Sequence, residues 1–210
     1  MKGIFIALEG PDGSGKSTIM KKIMDYFKDK KVEFVGTREP GGTEIGEDIR
    51  KIILDRKNKH MAAETEALLY AASRGQHVHE KILPALKMGK VVICERFILS
   101  SLAYQGVGRE LGIEEVRIIN DFAIRGIRPD LTLFFDVDPE ETLNRKTKKM
   151  GGDRLEKEGV EFHREVYHGY KKLLQKYPDN IKIIDATQDV EKVFEQCIYN
   201  IENTLKNKEE

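Results

Sequence analysis

The chain has no surplus of charge of either sign. Its 210 residues carry 36 lysines and arginines against 36 aspartates and glutamates, so no global field draws it to nucleic acid or anionic lipid. Any polyanion it binds must be held by a local cluster. Cysteine is nearly absent. Cys94 falls in an apolar strand-like stretch and Cys197 in a late helical one, which suits two reduced core thiols rather than a disulfide or a metal pair. Long apolar runs are missing too: the run after Lys2 is broken by Glu9, too short for a signal peptide, and none approaches the ~20 residues of a membrane span. A cytoplasmic protein without a membrane partner is expected. Among the five histidines no spacing suits a metal site, and there is no linker and no internal repeat. The length fits a single domain over 1–210, with room for an inserted flap.

What is present is concentrated in one stretch. Gly10, Pro11, Asp12, Gly13, Ser14, Gly15, Lys16, Ser17 and Thr18 fit G-x-x-x-x-G-K-[ST] without a mismatch. In such a loop the glycines let successive backbone N–H groups turn inward around an anion, the lysine reaches the β- and γ-phosphates of a nucleotide, and the serine hydroxyl reaches Mg²⁺. The motif has meaning only between a buried strand and a helix. Gly3 to Leu8 reads as the strand, and Ile19, Ile23, Met24 and Phe27 recur at helical spacing behind the loop.

Further along, a strand from Val32 to Thr37 runs into Arg38-Glu39-Pro40-Gly41-Gly42-Thr43, where proline and two glycines force a loop and Thr43 can cap the next helix. Arg50 lies in that helix, and spacing alone favours a solvated arginine paired with Glu47 or another neighbour. The pattern predicts a long helix over Glu64 to about Lys87, kinked by Pro84. Tyr70 and Arg74 share one of its faces, able to stack on and bond a planar base, although spacing alone favours an ordinary aromatic and a surface arginine. Val91 to Cys94 is a third strand with Glu95-Arg96 at its C-terminal end, where open α/β sheets gather ligands. There Glu95 could hold Mg²⁺ and Arg96 a second phosphate. Ser100, Ser101, Tyr104 and Gln105 follow as a polar cluster, and Gln105 has both the donor and the acceptor that a nucleobase edge requires. Leu131 to Val137 and Ile181 to Ile184 complete five strands. Between them Arg145 to Glu158 is strongly basic around Gly151-Gly152. It reads equally as a solvated face or as a lid bringing positive charge to a phosphoryl group.

Strands alternating with helices commit the chain to an α/β fold, a doubly wound five-stranded parallel sheet of the P-loop NTPase type with a small mobile lid. Beyond that the sequence resembles the bacterial thymidylate kinases over nearly its whole length. The resemblance rests on Phe5 to Thr18, the loop Thr37 to Thr43, Arg74, and above all Arg96 through Gly106 with its Ser-x-x-Ala-Tyr-Gln-Gly ending. It implies transfer of the γ-phosphoryl of MgATP to dTMP, giving dTDP for dTTP synthesis, in a homodimer whose partners are ATP and dTMP. It further implies ATP binding by Gly10 to Thr18, an approach of Asp12 to the acceptor, and Tyr70 under the thymine. Arg74 would bond the base, Ser101 and Gln105 would surround its N3, Ser100 would stand in the same polar cluster, and Tyr104 would pack by the deoxyribose. Arg50 and Arg96 would clamp the acceptor phosphate beside Glu39.

Two positions depart from the family pattern. Glu95 stands where aspartate is usual, which favours a water-bridged metal contact over a direct one. Lys149 stands where many members carry a lid arginine, so transition-state charge falls to Arg145, Lys149 or Arg154 in a lid over about 145–158. Two rivals stay open on the residues alone: a deoxynucleoside kinase, which the Glu95-Arg96 pair fits slightly better, and a nucleotide-dependent switch, which would need neither a second phosphate clamp nor a base pocket.

Overall fold

In the computed structural model, which describes residues 3–139, 141–142, 153–155 and 158–209, five strands form one parallel sheet in the order β2-β3-β1-β4-β5. They are β1 (Ile4–Glu9), β2 (Phe34–Arg38), β3 (Val91–Glu95), β4 (Leu131–Asp136) and β5 (Ile181–Asp185), each within two residues of its expected bounds. The central strand β1 is flanked by β3, with Ile4 opposite Val91, and by β4, with Ile6 opposite Leu131. All six of its residues are buried, as a strand covered on both faces must be.

Alternation along β1 sorts two cores. Ile4, Ile6 and Leu8 face α1 (Lys16–Asp29) through Ile19, Ile23 and Phe27, and on the same face Val193, Cys197 and Ile201 bring in the last helix (Val190–Glu209). Phe5 and Ala7 face the other way, onto Val78, Ile82, Phe97 and Ile124. Glu9 continues that second face, and so its carboxylate is delivered beneath the segment after β3. Between β2 and β3 lie α2 (Glu44–Leu54) and α3 (Ala63–His77). As expected, Thr43 caps α2, its Oγ1 accepting from the Gly46 N–H at 3.1 Å, a contact worth ~1 kcal/mol.

The long helix expected over Glu64 to about Lys87 is interrupted just before Pro84. The α3 helix passes into a π-helical turn (Val78–Ile82) and resumes as α4 (Leu83–Lys87). Pro84 has no N–H to donate and its ring crowds the carbonyl one turn back, so the wider turn accommodates both. A second wide stretch follows β3: α5 (Ile98–Ser101) runs into a π-helical Leu102–Gly108, then α6 (Ile113–Ile124). That segment packs on α7 (Val160–Lys176) through Tyr104, Val166 and Tyr170. Both cysteines are buried and free.

Candidate functional site

The C-terminal ends of β1, β2 and β3 open into one cleft, and the loop after β1 forms one wall of it. Gly10, Gly13 and Gly15 have φ of 138°, 79° and 90°. A side chain at Gly10 would come within 2.7 Å of the Phe135 carbonyl oxygen, so both the conformation and the space demand glycine there. Gly15 is the N-cap of α1 and offers no side-chain cap, and no acidic residue sits in the first turn. The free N–H groups of that turn are therefore left for an anion. Lys16 is buried and folded onto the loop, donating to the carbonyls of Gly10 (3.0 Å) and Pro11 (2.7 Å) and to Ser14 Oγ (3.1 Å). Burial, and then the nearby Arg96, bring its pKa down from 10.5 to about 7, whereas phosphate oxygens in the loop would restore its charge.

The Ser17 hydroxyl lies 2.8 and 2.9 Å from the two oxygens of Glu95. A hydroxyl beside a carboxylate, facing a phosphate loop, is an all-oxygen donor set of the kind Mg²⁺ takes. These two expected ligands do come together.

Arg96, at the end of β3, sits at φ +67°, a strained region for a residue with a Cβ. Its backbone N–H donates to the Leu8 carbonyl at 2.8 Å, which fixes the turn and points the guanidinium across the cleft. There Nη2 reaches Asp12 Oδ1 at 2.7 Å and the Tyr104 hydroxyl at 3.3 Å, and Nη1 reaches Ser100 Oγ at 2.9 Å and the Tyr170 hydroxyl at 3.2 Å. Burial works against its charge, yet Tyr104 and Asp12 hold its pKa well above the ordinary value. Beneath it Glu9 accepts from the Phe97 N–H (2.8 Å), the Ser100 N–H (3.2 Å) and the Ser100 hydroxyl (2.5 Å). The carboxylate thereby caps the short helix that carries Ser100 and Ser101.

The cleft, about 230 Å³, is bordered by every residue the resemblance assigned to the acceptor: Asp12, Glu39, Arg50, Tyr70, Arg74, Arg96, Ser100, Ser101, Tyr104 and Gln105, together with Ser17 and Glu95. Arg50 does not pair with Glu47, as its spacing had favoured; it donates to the Pro40 carbonyl at 2.9 Å, while Glu47 binds Arg38 at 3.0 Å and the Gly42 N–H at 2.7 Å. Burial lowers the Arg50 pKa, and Arg38 lowers it further. Arg74 is 1% exposed rather than on the surface. Its Nε donates to Glu39 (2.6 Å), Nη1 to Ser101 (2.9 Å) and to Asn120, and Nη2 to the Phe97 carbonyl (2.9 Å). One Nη2 proton is left for a ligand among the described residues. Burial pushes the Tyr70 phenol up, so the ring stays neutral.

Arg154 turns toward protein groups. It donates from Nε to the Ile53 carbonyl at 2.8 Å and from Nη2 to Glu66 at 2.6 Å, while Asp153 and Leu155 beside it border the cleft. Arg145 and Lys149 lie outside the described residues.

Several groups around the cleft gave no motif signal. Arg38, given no role of its own within its loop, brings a fourth guanidinium to the border. His77 joins Thr37 Oγ1 (2.7 Å) to Glu39 (2.9 Å), and ligand atoms of Glu39, His77 and Cys94 lie within 4.8 Å of one another, but the Glu39 carboxylate is committed to Arg74 and His77. Glu66, 1% exposed, is ringed by donors. The one available hint was a charged residue at a helical position that faces the core. Among the described residues, no helix is long and apolar enough to cross a membrane.

Comparison with known proteins agrees with this geometry. The family model described as thymidylate kinase matches residues 8–197. A thymidylate kinase of Finegoldia magna is 62% identical over 195 residues, covering 93% of this chain and 96% of its own. One from Clostridium novyi is 56% identical over 93% and 96% of the two chains, and one from Lactobacillus helveticus 54% identical over 98% of each.

Proposed function

The chain belongs to the thymidylate kinase family, and from that premise we propose that it transfers the γ-phosphoryl group of ATP to the 5′-phosphate of dTMP, giving dTDP for dTTP synthesis. The observation that carries this reading is the pairing of two anion-binding walls across one cleft. One is the glycine loop with its bare helix N-terminus; the other is the group of Arg38, Arg50 and Arg96 beside a polar floor. A switch would need only the first wall, and a nucleoside kinase would leave the guanidiniums of the second without a phosphate.

Gly10 to Thr18 hold the triphosphate, and Lys16 leaves the loop carbonyls for its β- and γ-oxygens. Ser17 and Glu95 would hold Mg²⁺, which when bound neutralises charge on the phosphates. Arg96 and Arg50 fix the acceptor phosphate in line with the donor, so little remains for the protein beyond positioning and charge stabilisation. Asp12 and Tyr104 orient Arg96 and border the sugar, Glu39 holds Arg74, and Tyr70, Arg74, Ser100, Ser101 and Gln105 receive the thymine. The basic segment over about 145–158 serves as the lid of a single domain, where Arg145 and Lys149 bring charge to the transferring group while Arg154 stays on Glu66. Ile45 and Ile52 on α2, Leu68 on α3, and Ile118 and Phe122 on α6 are exposed apolar residues on helices packed side by side, and they support a homodimer through that face, working in the cytoplasm.

An assay of ADP release with ATP and a panel of acceptors tests the reading. dTMP should be the best substrate and dUMP poorer, since a methyl group in an apolar slot is worth ~1–3 kcal/mol. Thymidine should be very poor. Equal kcat/KM for thymidine and dTMP would replace this reading with a nucleoside kinase.

A further inference from the structure

Glu66 is a buried carboxylate on α3 whose lone pairs are all engaged. Its Oε1 accepts from Gln105 Nε2 at 2.9 Å and from Arg109 Nε at 3.4 Å, and its Oε2 accepts from Arg109 Nη2 at 3.2 Å and from Arg154 Nη2 at 2.6 Å. Two guanidiniums grip both oxygens and leave the carboxylate no freedom to turn. A guanidinium only donates, so both oxygens serve as acceptors. The amide of Gln105 must therefore present its NH₂ to Glu66, which assigns the orientation of that amide on chemical grounds.

The other end of the amide follows. Among the described residues no buried side-chain nitrogen or oxygen lacks a partner. Among the same residues Gln105 makes one side-chain hydrogen bond, through Nε2, so Oε1 is not sealed by them, and the space that Gln105 borders is the cleft. A fixed acceptor is presented there.

We propose that Glu66 is a specificity-determining positioning residue: by holding Gln105 with its carbonyl toward the cleft, it selects pyrimidines that carry N3–H, thymine and uracil, over cytosine. The inference rests on the dTMP reading above. The N3–H is the sole donor on the pairing edge of thymine, between two carbonyl oxygens, and it complements Oε1. Cytosine offers an unprotonated N3, so acceptor would face acceptor in a desolvated pocket. A free glutamine would rotate its amide and accept either base. Glu66 prevents that rotation.

The test is the ratio of kcat/KM for dTMP to that for dCMP in wild type, Glu66→Gln and Glu66→Asp, with melting curves recorded for each. Glu66→Gln can donate to Oε1 and so permits the flipped amide; Glu66→Asp keeps the charge for Arg109 and Arg154 but withdraws from Gln105. The ratio should fall about tenfold or more in a folded variant, because the unfavourable contact with cytosine is relieved. Damage to the lid or to the phosphate clamp would lower both substrates together and leave the ratio alone. A ratio within twofold of wild type in the folded variants overturns the proposal. Should both variants fail to fold, the Gln105 side-chain amide protons of the wild-type protein decide: protection from solvent exchange is expected, and exchange at the rate of an exposed glutamine overturns it. Wild-type protein that turns over neither dTMP nor dUMP would refute the kinase reading itself, a result distinct from a kinase whose selectivity ignores Glu66.

Discussion

Replacing Arg96 with alanine isolates the acceptor-phosphate clamp. Four hydrogen bonds leave with the guanidinium: to Asp12, Ser100, Tyr104 and Tyr170. The hydroxyls are not stranded, because Ser100 remains bonded to Glu9 and Tyr170, and Tyr104 to Asp12. Asp12 loses its ion pair, but its side chain is 28% exposed, so the loss costs the fold only ~1 kcal/mol. Catalysis should suffer far more. A hydrogen bond to a charged group contributes ~1.5–3 kcal/mol, and a bidentate grip on phosphate makes two. Against this, the free enzyme gives up its two longest contacts, at 3.2 and 3.3 Å to the tyrosine hydroxyls, which places the net effect in the lower half of that range. With 1.36 kcal/mol per decade, kcat/KM for dTMP should fall by roughly 10²- to 10³-fold. Affinity for ATP should change little. Arg96→Gly serves as a control: it removes the same charge while relieving the φ of +67°, so it should match alanine in activity and exceed it in stability by ~1 kcal/mol. Steady-state ADP release with dTMP varied, alongside thermal melts, measures both. A folded variant within threefold of wild-type kcat/KM would refute the clamp.

Two further outcomes are expected. Lys16, at about pKa 7 in the free protein, becomes fully charged when phosphates replace the loop carbonyls, so the bound state holds more protons. ATP binding should therefore take up close to one proton at pH 8.5 and almost none at pH 6, with affinity falling as pH rises above 7. Calorimetry in buffers of different ionisation enthalpy reads this directly; Lys16→Met should abolish both the uptake and the turnover, and uptake that persists in that variant would exclude Lys16 as its source. For the proposed dimer, Phe122 is 89% exposed, so Phe122→Asp should leave the monomer fold within ~0.5 kcal/mol while shifting the sedimentation mass from two chains to one. A dimer of undiminished strength would move the interface elsewhere.

How much was written in the chain depends on how local the cause is. The loop Gly10 to Thr18 is legible because positive φ, lysine and the following helix are set by consecutive residues, and the five strands because burial on both faces leaves continuous apolar runs. Thr43 as a cap is local in the same way. The acceptor side of the cleft is different. Spacing favoured a solvated Arg50 paired with Glu47 or another neighbour, an ordinary aromatic at Tyr70 and a surface arginine at Arg74; only the resemblance put them at a ligand, since nothing within a helical turn tells whether a guanidinium faces water or a neighbouring strand. Tertiary structure decided that Arg74 is buried against Glu39, Ser101 and Asn120, that Glu9 caps a helix 88 or more residues away, and that Pro84 is preceded by a π-turn. It also made Glu66 a hub joining residues 39, 43 and 88 positions distant. A buried charge is stable only where its partners converge from several elements at once, and that convergence exists in the fold and nowhere along the sequence.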